Sequence, residues 1–158
     1  MGPMNQPVIA VAAAAVPGWL LAAHLLGVLG YAGGILTVSR MLGTVGSLPQ
    51  ESRAGAASAA RRAYLLFLLP MGVLMVGSGL WLLIGDPGGQ GYMKQAAFHV
   101  KLTLVAVLMI VEHLMVIRPL KALSKGGGAP PDPAAAATAH ALCLLLVAGI
   151  LGALFLMR

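Results

Sequence analysis

The stretch FHVKLTLVAVLMIVEH, residues 98–113, is apolar enough to lie in lipid, and yet it carries two histidines, a lysine and a glutamate. The whole chain shares this apolar character: of its 158 residues, 59% are hydrophobic and only 9% are charged. About a quarter of the residues of a soluble domain are charged. The composition therefore indicates an integral membrane protein, in which ionisable side chains within apolar runs are candidates for function.

Four apolar runs are long enough to cross the hydrocarbon core as helices, which takes about 20 residues. They cover roughly residues 17–42, 62–84, 95–117 and 134–157. We predict an all-α fold, an up-down-up-down four-helix bundle in which residues 1–158 form a single membrane domain. The apolar segment VIAVAAAAV, residues 8–16, extends the first helix or forms a short surface helix. A cleaved secretory signal is the competing interpretation, but the leader has no basic segment.

Turn residues, glycines and one cysteine refine this picture. Asp132 followed by Pro133 is typical of a helix start, and Pro70 should kink the second helix. Cys143 is the chain's single cysteine, which excludes an internal disulfide, and a small apolar core residue is its default role. Several glycines are predicted to let neighbouring backbones approach closely, namely Gly30, Gly34, Gly72, Gly77 and Gly79.

The distribution of basic residues predicts the orientation. Most of them fall in the loops after the first and third runs, which places those loops in the cytoplasm and both termini outside, in a bacterial inner membrane. A basic face against anionic lipid explains the net charge of +6 without any nucleic-acid partner. The residues concerned are Arg40, Arg53, Arg61, Arg62, Arg118, Lys121 and Lys125.

The four histidines fall at two depths of the predicted bundle. His24 and His99 lie in the outer half, whereas His113 and His140 lie in the inner half. On one helix, His99 and His113 share a face to within about 40° but are about 21 Å apart, so they cannot ligate one metal ion together. Two cross-helix pairs are possible, His24 with His99 and His113 with His140.

Buried imidazoles at matched depth suit a haem iron, and an apolar space between helices suits the porphyrin. We favour His24 and His99 as haem ligands over His113 and His140. For each histidine the alternative is a hydrogen bond to a neighbouring helix. Zinc is disfavoured, because four histidines spread over two depths do not make one tetrahedral site.

Lys101 and Glu112 are also costly in lipid. Lys101 could extend to the outer surface or hold an anionic group. Glu112 could reach the inner surface, accept a proton or orient His113. The sequence leaves these alternatives open.

An ordered set of residues from about 19 to 118 resembles the HemJ-type protoporphyrinogen oxidases. In the first run the set comprises Trp19, His24, Tyr31, Gly34 and Arg40. It continues with the second-run motif RRAYLLFLLP, residues 61–70, then Gly79, the segment FHVKL, residues 98–102, and His113. The resemblance implies a small helical membrane bundle that binds haem b and oxidises protoporphyrinogen IX to protoporphyrin IX. It also implies His24 and His99 as ligands, with Arg40, Lys101 and Arg62 pairing with propionates of cofactor or substrate.

Two classes of function are compatible with the sequence. The first is a haem-dependent porphyrinogen oxidase that passes electrons to a membrane acceptor such as a quinone. The second is a non-enzymatic haem-binding or accessory subunit of a larger respiratory or photosynthetic complex, because Leu21, Tyr31, Thr37 and Ser39 depart from the family pattern. Copper handling is a third possibility, suggested by nine methionines. A homo-oligomer is compatible with each.

Overall fold

The computed structural model describes residues 17–85 and 93–155, and these form four helices. They are α1 (Gly18–Ser47), α2 (Gln50–Gly85), α3 (Ala96–Ser124) and α4 (Pro133–Phe155). Each is long and apolar enough to span a membrane, which confirms the predicted all-α fold. The segment VIAVAAAAV and residues 86–91 of the turn after α2 lie outside the described residues.

Prolines mark three of the four helix starts. Pro17 and Pro49 directly precede α1 and α2, and Pro133 is the first residue of α4, as predicted. Proline suits these positions because the first N–H groups of a helix have no partner within it. The second helix extends beyond the predicted apolar run 62–84, because α2 begins at Gln50 and continues through the polar segment Gln50–Ala63.

α2 and α3 each contain a wide, π-helical turn just before a proline. α2 is π-helical over Tyr64–Leu68, where the Leu69 N–H donates to the Tyr64 carbonyl directly before Pro70. α3 is π-helical over Glu112–Ile117, where the Arg118 N–H donates to the His113 carbonyl before Pro119. Since proline lacks an N–H and its ring crowds the carbonyl four residues earlier, widening the preceding turn relieves the clash. The disturbance predicted at Pro70 is thus a π turn.

The wide turns also keep the buried faces continuous. In α3 the buried residues Leu108, Glu112, Val116 and Leu120 are spaced by four. In an α-helix each such step drifts by about 40°, so that three steps would turn the face well away from the core. A wider turn holds more residues and reduces this drift.

The helices alternate in direction, and the two ends of the bundle differ. At what we term the basic end, Gln50–Ala63 of α2 packs against Arg118–Ser124 of α3. Ala57, Ala60 and Leu120 are buried there. At the opposite end, which we term the Trp19 end, Leu69–Gly85 packs on α1 and Ala96–Val111 packs on α4, while these two segments hardly touch. Between α2 and α3 the bundle is therefore closed at the basic end and open at the Trp19 end.

Glycines bring α1 and α2 into close contact. A Cβ atom on Gly27 would lie 2.6 Å from the Met75 backbone nitrogen, so no larger residue fits there without moving a helix. The prediction of close approach is confirmed at Gly30, Gly34, Gly72 and Gly79, each of which faces a side chain of the other helix. It is wrong for Gly77, which has no described atom within 4 Å of an added Cβ.

Candidate functional site

The open Trp19 end carries the most distinctive histidine of the chain. His24 is half-buried on α1 and faces α2, where its Nδ1–H donates to the Met75 carbonyl at 3.0 Å. The Ser78 hydroxyl oxygen lies 3.2 Å from the same nitrogen. Holding one ring nitrogen in this way fixes the tautomer and leaves Nε2 unprotonated, which is how a metal-ligating imidazole is commonly oriented.

Gly79 makes room for the His24 ring. A Cβ atom on Gly79 would lie 2.9 Å from Cε1 of His24, so that any side chain at this position would displace the imidazole. The ring thus rests on a bare stretch of α2 backbone. The position of the imidazole is set both by its hydrogen-bond contacts with α2 and by the space that the missing side chain of Gly79 leaves.

His99 and Lys101 lie on α3, on the other side of the opening. His99 is exposed, and its Nε2–H donates to the Met93 carbonyl at 2.8 Å. Lys101 is half-buried and within electrostatic range of His24. The structure therefore places one histidine beside the opening in a fixed orientation, whereas His99 must break its bond to Met93 before Nε2 can ligate an iron.

The other predicted site residues lie elsewhere. His113 is exposed, and His140 is half-buried with its Nδ1 2.9 Å from the Ser39 hydroxyl of α1. No hydrogen bond joins these two histidines among the described residues. Arg40 and Arg62 are both exposed. Arg40 lies sixteen residues past His24, which is about 24 Å along α1, so it does not flank the His24 ring.

A buried polar pair, Tyr31 with Glu112, was not predicted. The Tyr31 hydroxyl donates to Oε2 of Glu112, and their exposed fractions are only 4% and 6%. The prediction that Glu112 could reach the inner surface is wrong, because its carboxyl group is buried and accepts the Tyr31 hydrogen bond. The sequence signal was a tyrosine and a glutamate in apolar runs, but only the packing of α1 against α3 shows that they meet.

Three hydrogen-bonded contacts thus connect α1 to the rest of the bundle. His24 binds α2, Tyr31 binds α3 and Ser39 binds α4. Within the membrane such bonds orient helices more than they hold them together, since each contributes only about 0.6 kcal/mol on average. Among the residues that the structure describes, no buried side-chain nitrogen or oxygen lacks a partner, and no cluster of three or more metal-binding side chains occurs.

Comparisons of the chain with models of known families, with curated proteins and with solved structures give no match. The candidate site therefore has to be interpreted from its own geometry. The fixed imidazole of His24, the bare backbone at Gly79 and the opening between α2 and α3 are the features that bear on a ligand.

Proposed function

We propose that the chain is a b-type haem protein of a bacterial inner membrane, with the basic end in the cytoplasm and the haem in the opening at the Trp19 end. The observation that carries this proposal is the His24 ring, whose Nδ1 is held by Met75 while Nε2 stays available. A flat apolar macrocycle suits a gap between two apolar helices. The donor set fits the cofactor, because one neutral imidazole in a fixed orientation is an axial ligand of the usual kind.

Within this proposal each nearby residue has a separate role. His24 would hold the haem from α1, and His99 would hold it from α3 once its bond to the Met93 carbonyl is released. Lys101 pairs with a haem propionate, since it lies at the same end of the bundle and is only half-buried. Bound haem supplies an iron that takes up and releases single electrons. Arg40 and Arg62 lie too far along the helices to reach a haem on His24, so the propionate role expected for them is not part of this proposal.

The activity proposed with this haem is oxidation of protoporphyrinogen IX to protoporphyrin IX. Each oxidation step removes two electrons and two protons from the porphyrinogen, and one membrane quinone takes up both pairs to become quinol. Three such steps, with three quinones, complete the conversion. The observation that supports this activity is the residue set shared with HemJ-type oxidases, of which His24 and Lys101 lie at the opening. The alternative, a haem-binding subunit without activity, shares the cofactor site and differs only in lacking turnover.

The visible spectrum tests the cofactor. Protein purified after expression with haem supply should show a Soret band and a reducible b-type spectrum, and His24→Ala or His99→Ala should lose it. His140→Ala should retain the band, because this ring binds Ser39. A colourless wild-type protein would overturn the proposal, and haem retained in both the His24 and His99 variants would exclude these ligands.

A glycine pair tests the position of the His24 ring. Gly79→Ala should weaken or shift the Soret band, because the new Cβ displaces the imidazole. Gly77→Ala on the same helix is the matched control and should leave the spectrum unchanged, as space is open there. Equal spectra for the two variants would mean that the ring does not ligate in the orientation described.

Complementation separates the enzyme from the subunit. A strain that lacks protoporphyrinogen oxidase should grow without added haem when it expresses the wild-type chain. Failure to grow, with haem-loaded protein present in the membrane, would favour the non-enzymatic subunit.

A further inference from the structure

A groove on the outer surface of the α1–α2 pair is separate from the His24 site. It has a volume of about 260 Å³ and is lined along α1 from Leu29 to Val38 and along α2 from Ala63 to Leu68. Its floor is formed largely by glycine backbone at Gly30, Gly33 and Gly34. Nine residues separate the two ends of the α1 wall, which is a length of about 14 Å.

The groove is apolar and open to the surroundings of the bundle. Leu29 and Phe67 are both exposed, and both lie in helices that can span a membrane. The one polar side chain of the lining, Thr37, turns its hydroxyl group back to the Gly33 carbonyl at 2.8 Å. An added Cβ on Gly33 would meet no described atom within 4 Å, so residues 17–85 and 93–155 leave the space above this glycine open.

Two arginines lie level with each other just beyond the basic end of the groove lining, Arg40 two residues past Val38 and Arg62 one residue before Ala63. Along the antiparallel pair, Gly27 faces Met75, Gly30 faces Met71 and Gly34 faces Leu68. Arg40 comes six residues after Gly34, and Arg62 comes six residues before Leu68, so the same pairing brings them to one level. The wide turn at Tyr64–Leu68 shifts this by only about one residue, or roughly 1.5 Å.

Neither guanidinium group forms a direct ion pair with a described carboxylate. Arg40 and Arg62 are exposed, and no hydrogen bond or ion pair occupies either side chain within residues 17–85 and 93–155. Glu51 is eleven residues from Arg62 on the same helix, about 16 Å away, and Glu112 is buried against Tyr31. The groove is thus apolar along its length, and two arginine side chains without an ion pair lie next to its basic end.

We propose that this groove binds an anionic glycerophospholipid, with its phosphate between Arg40 and Arg62 and one acyl chain along Gly30, Gly33 and Gly34. The occupant has to be apolar over the length of the groove and anionic at one end. Arginine offers a planar fork of donors that matches phosphate oxygens. Basic sites between membrane helices bind anionic headgroups for this reason. Its arginine end lies about 24 Å along α1 from His24, none of the lining residues contacts His24 in the hydrogen bonds described above, and the site goes beyond the proposed haem function.

Lipid retention in vesicles of defined composition tests the proposal. The full chain is reconstituted in equal parts phosphatidylglycerol and phosphatidylcholine, extracted with mild detergent, and its retained lipid is measured by native mass spectrometry. The wild type should keep phosphatidylglycerol in preference to phosphatidylcholine. The double variant Arg40→Gln/Arg62→Gln should lower this retention on the order of tenfold, given the contribution of each basic residue near a membrane surface.

A variant that fills the groove tests the acyl-chain half of the site. Gly33→Leu should displace the lipid although both arginines remain, and the open space at Gly33 accepts the new side chain without a clash. Gly77→Leu adds the same side chain at an open position outside the groove and should keep the lipid. Arg118→Gln/Lys121→Gln removes two charges from the same end of the bundle and should also keep it.

Three results would overturn the proposal. They are equal retention of the two lipids by the wild type, unchanged retention in Arg40→Gln/Arg62→Gln, and equal loss in the double variant at Arg118 and Lys121. The first would show that headgroup charge is not recognised. The second and third would show that these two arginines are not the site. Each result is independent of the haem spectrum.

Discussion

The basic end and the Trp19 end of the bundle use the same four helices for different purposes. At the basic end, small residues such as Ala57 and Ala60 let α2 pack against α3, with Leu120 and Leu123 buried beside them. At the Trp19 end, α2 and α3 part, and each keeps a single neighbour. The difference shows that two helices of a small membrane bundle can pack closely at one end and leave room for a ligand between them at the other.

The largest effect is expected from adding a side chain at Gly27, where α1 and α2 are in close contact. Gly27→Val places a side chain against the Met75 backbone, and α1 and α2 must separate because backbone cannot yield locally. Since α1 is the main neighbour of α2 at the Trp19 end among the described residues, we expect a loss of about 1–3 kcal/mol of unfolding free energy, or more. Unfolding in mixed detergent and dodecyl sulfate, followed by circular dichroism, measures this loss.

Gly77→Val is the control for that measurement, because it changes the same helix at an open position. It should leave the unfolding free energy within about 0.5 kcal/mol of the wild type. If both variants lose stability equally, the effect comes from valine in a helix and the close contact at Gly27 does not limit the packing.

An intermediate effect is expected at the buried pair Tyr31 and Glu112, where α1 meets α3. Glu112→Ala leaves the Tyr31 hydroxyl without an acceptor in the core, which should cost about 1–3 kcal/mol of unfolding free energy. Glu112→Gln retains an oxygen acceptor and should cost less. The same detergent unfolding assay compares the two, and an equal loss would show that the hydrogen bond does not contribute.

The smallest effect is expected where α1 meets α4. Ser39→Ala removes the hydrogen bond to His140 but keeps the packing, so the unfolding free energy should fall by only about 0.6 kcal/mol. A double-mutant cycle with His140→Ala isolates the interaction. If the coupling energy between Ser39 and His140 exceeded that between Tyr31 and Glu112, the Ser39 contact would be the stronger of the two, contrary to this prediction.

Most of the fold followed from hydropathy, because a bilayer requires long apolar helices. Four runs, the start of α4 at Pro133 and the buried position of Cys143 were all predictable. The start of α2 was not, since a search for apolar runs stops at polar residues, whereas Gln50–Ala63 is rich in alanine and stays helical. Hydropathy locates the part of a helix in lipid and not its full length.

The site was predictable only in part. Residue type and depth singled out His24, and its place in a membrane helix is confirmed, but its role as a ligand stays a prediction. The meeting of Tyr31 with Glu112 could not be predicted, because helix periodicity shows which residues of α3 share a face but not which neighbouring helix that face packs against. Gly27 was missed for a related reason, as spacing alone does not say which glycine of α1 faces α2.

The two wide turns also bear on how this chain tolerates changes in length. Deleting one residue from an α-helix rotates everything beyond it by about 100°, which would turn a buried face toward lipid. At Tyr64–Leu68 and Glu112–Ile117 the helix already accommodates an uneven count. We expect these two segments to absorb a single-residue insertion or deletion locally, while the same change at mid-helix in α1 or α4 would rotate half of that helix out of register.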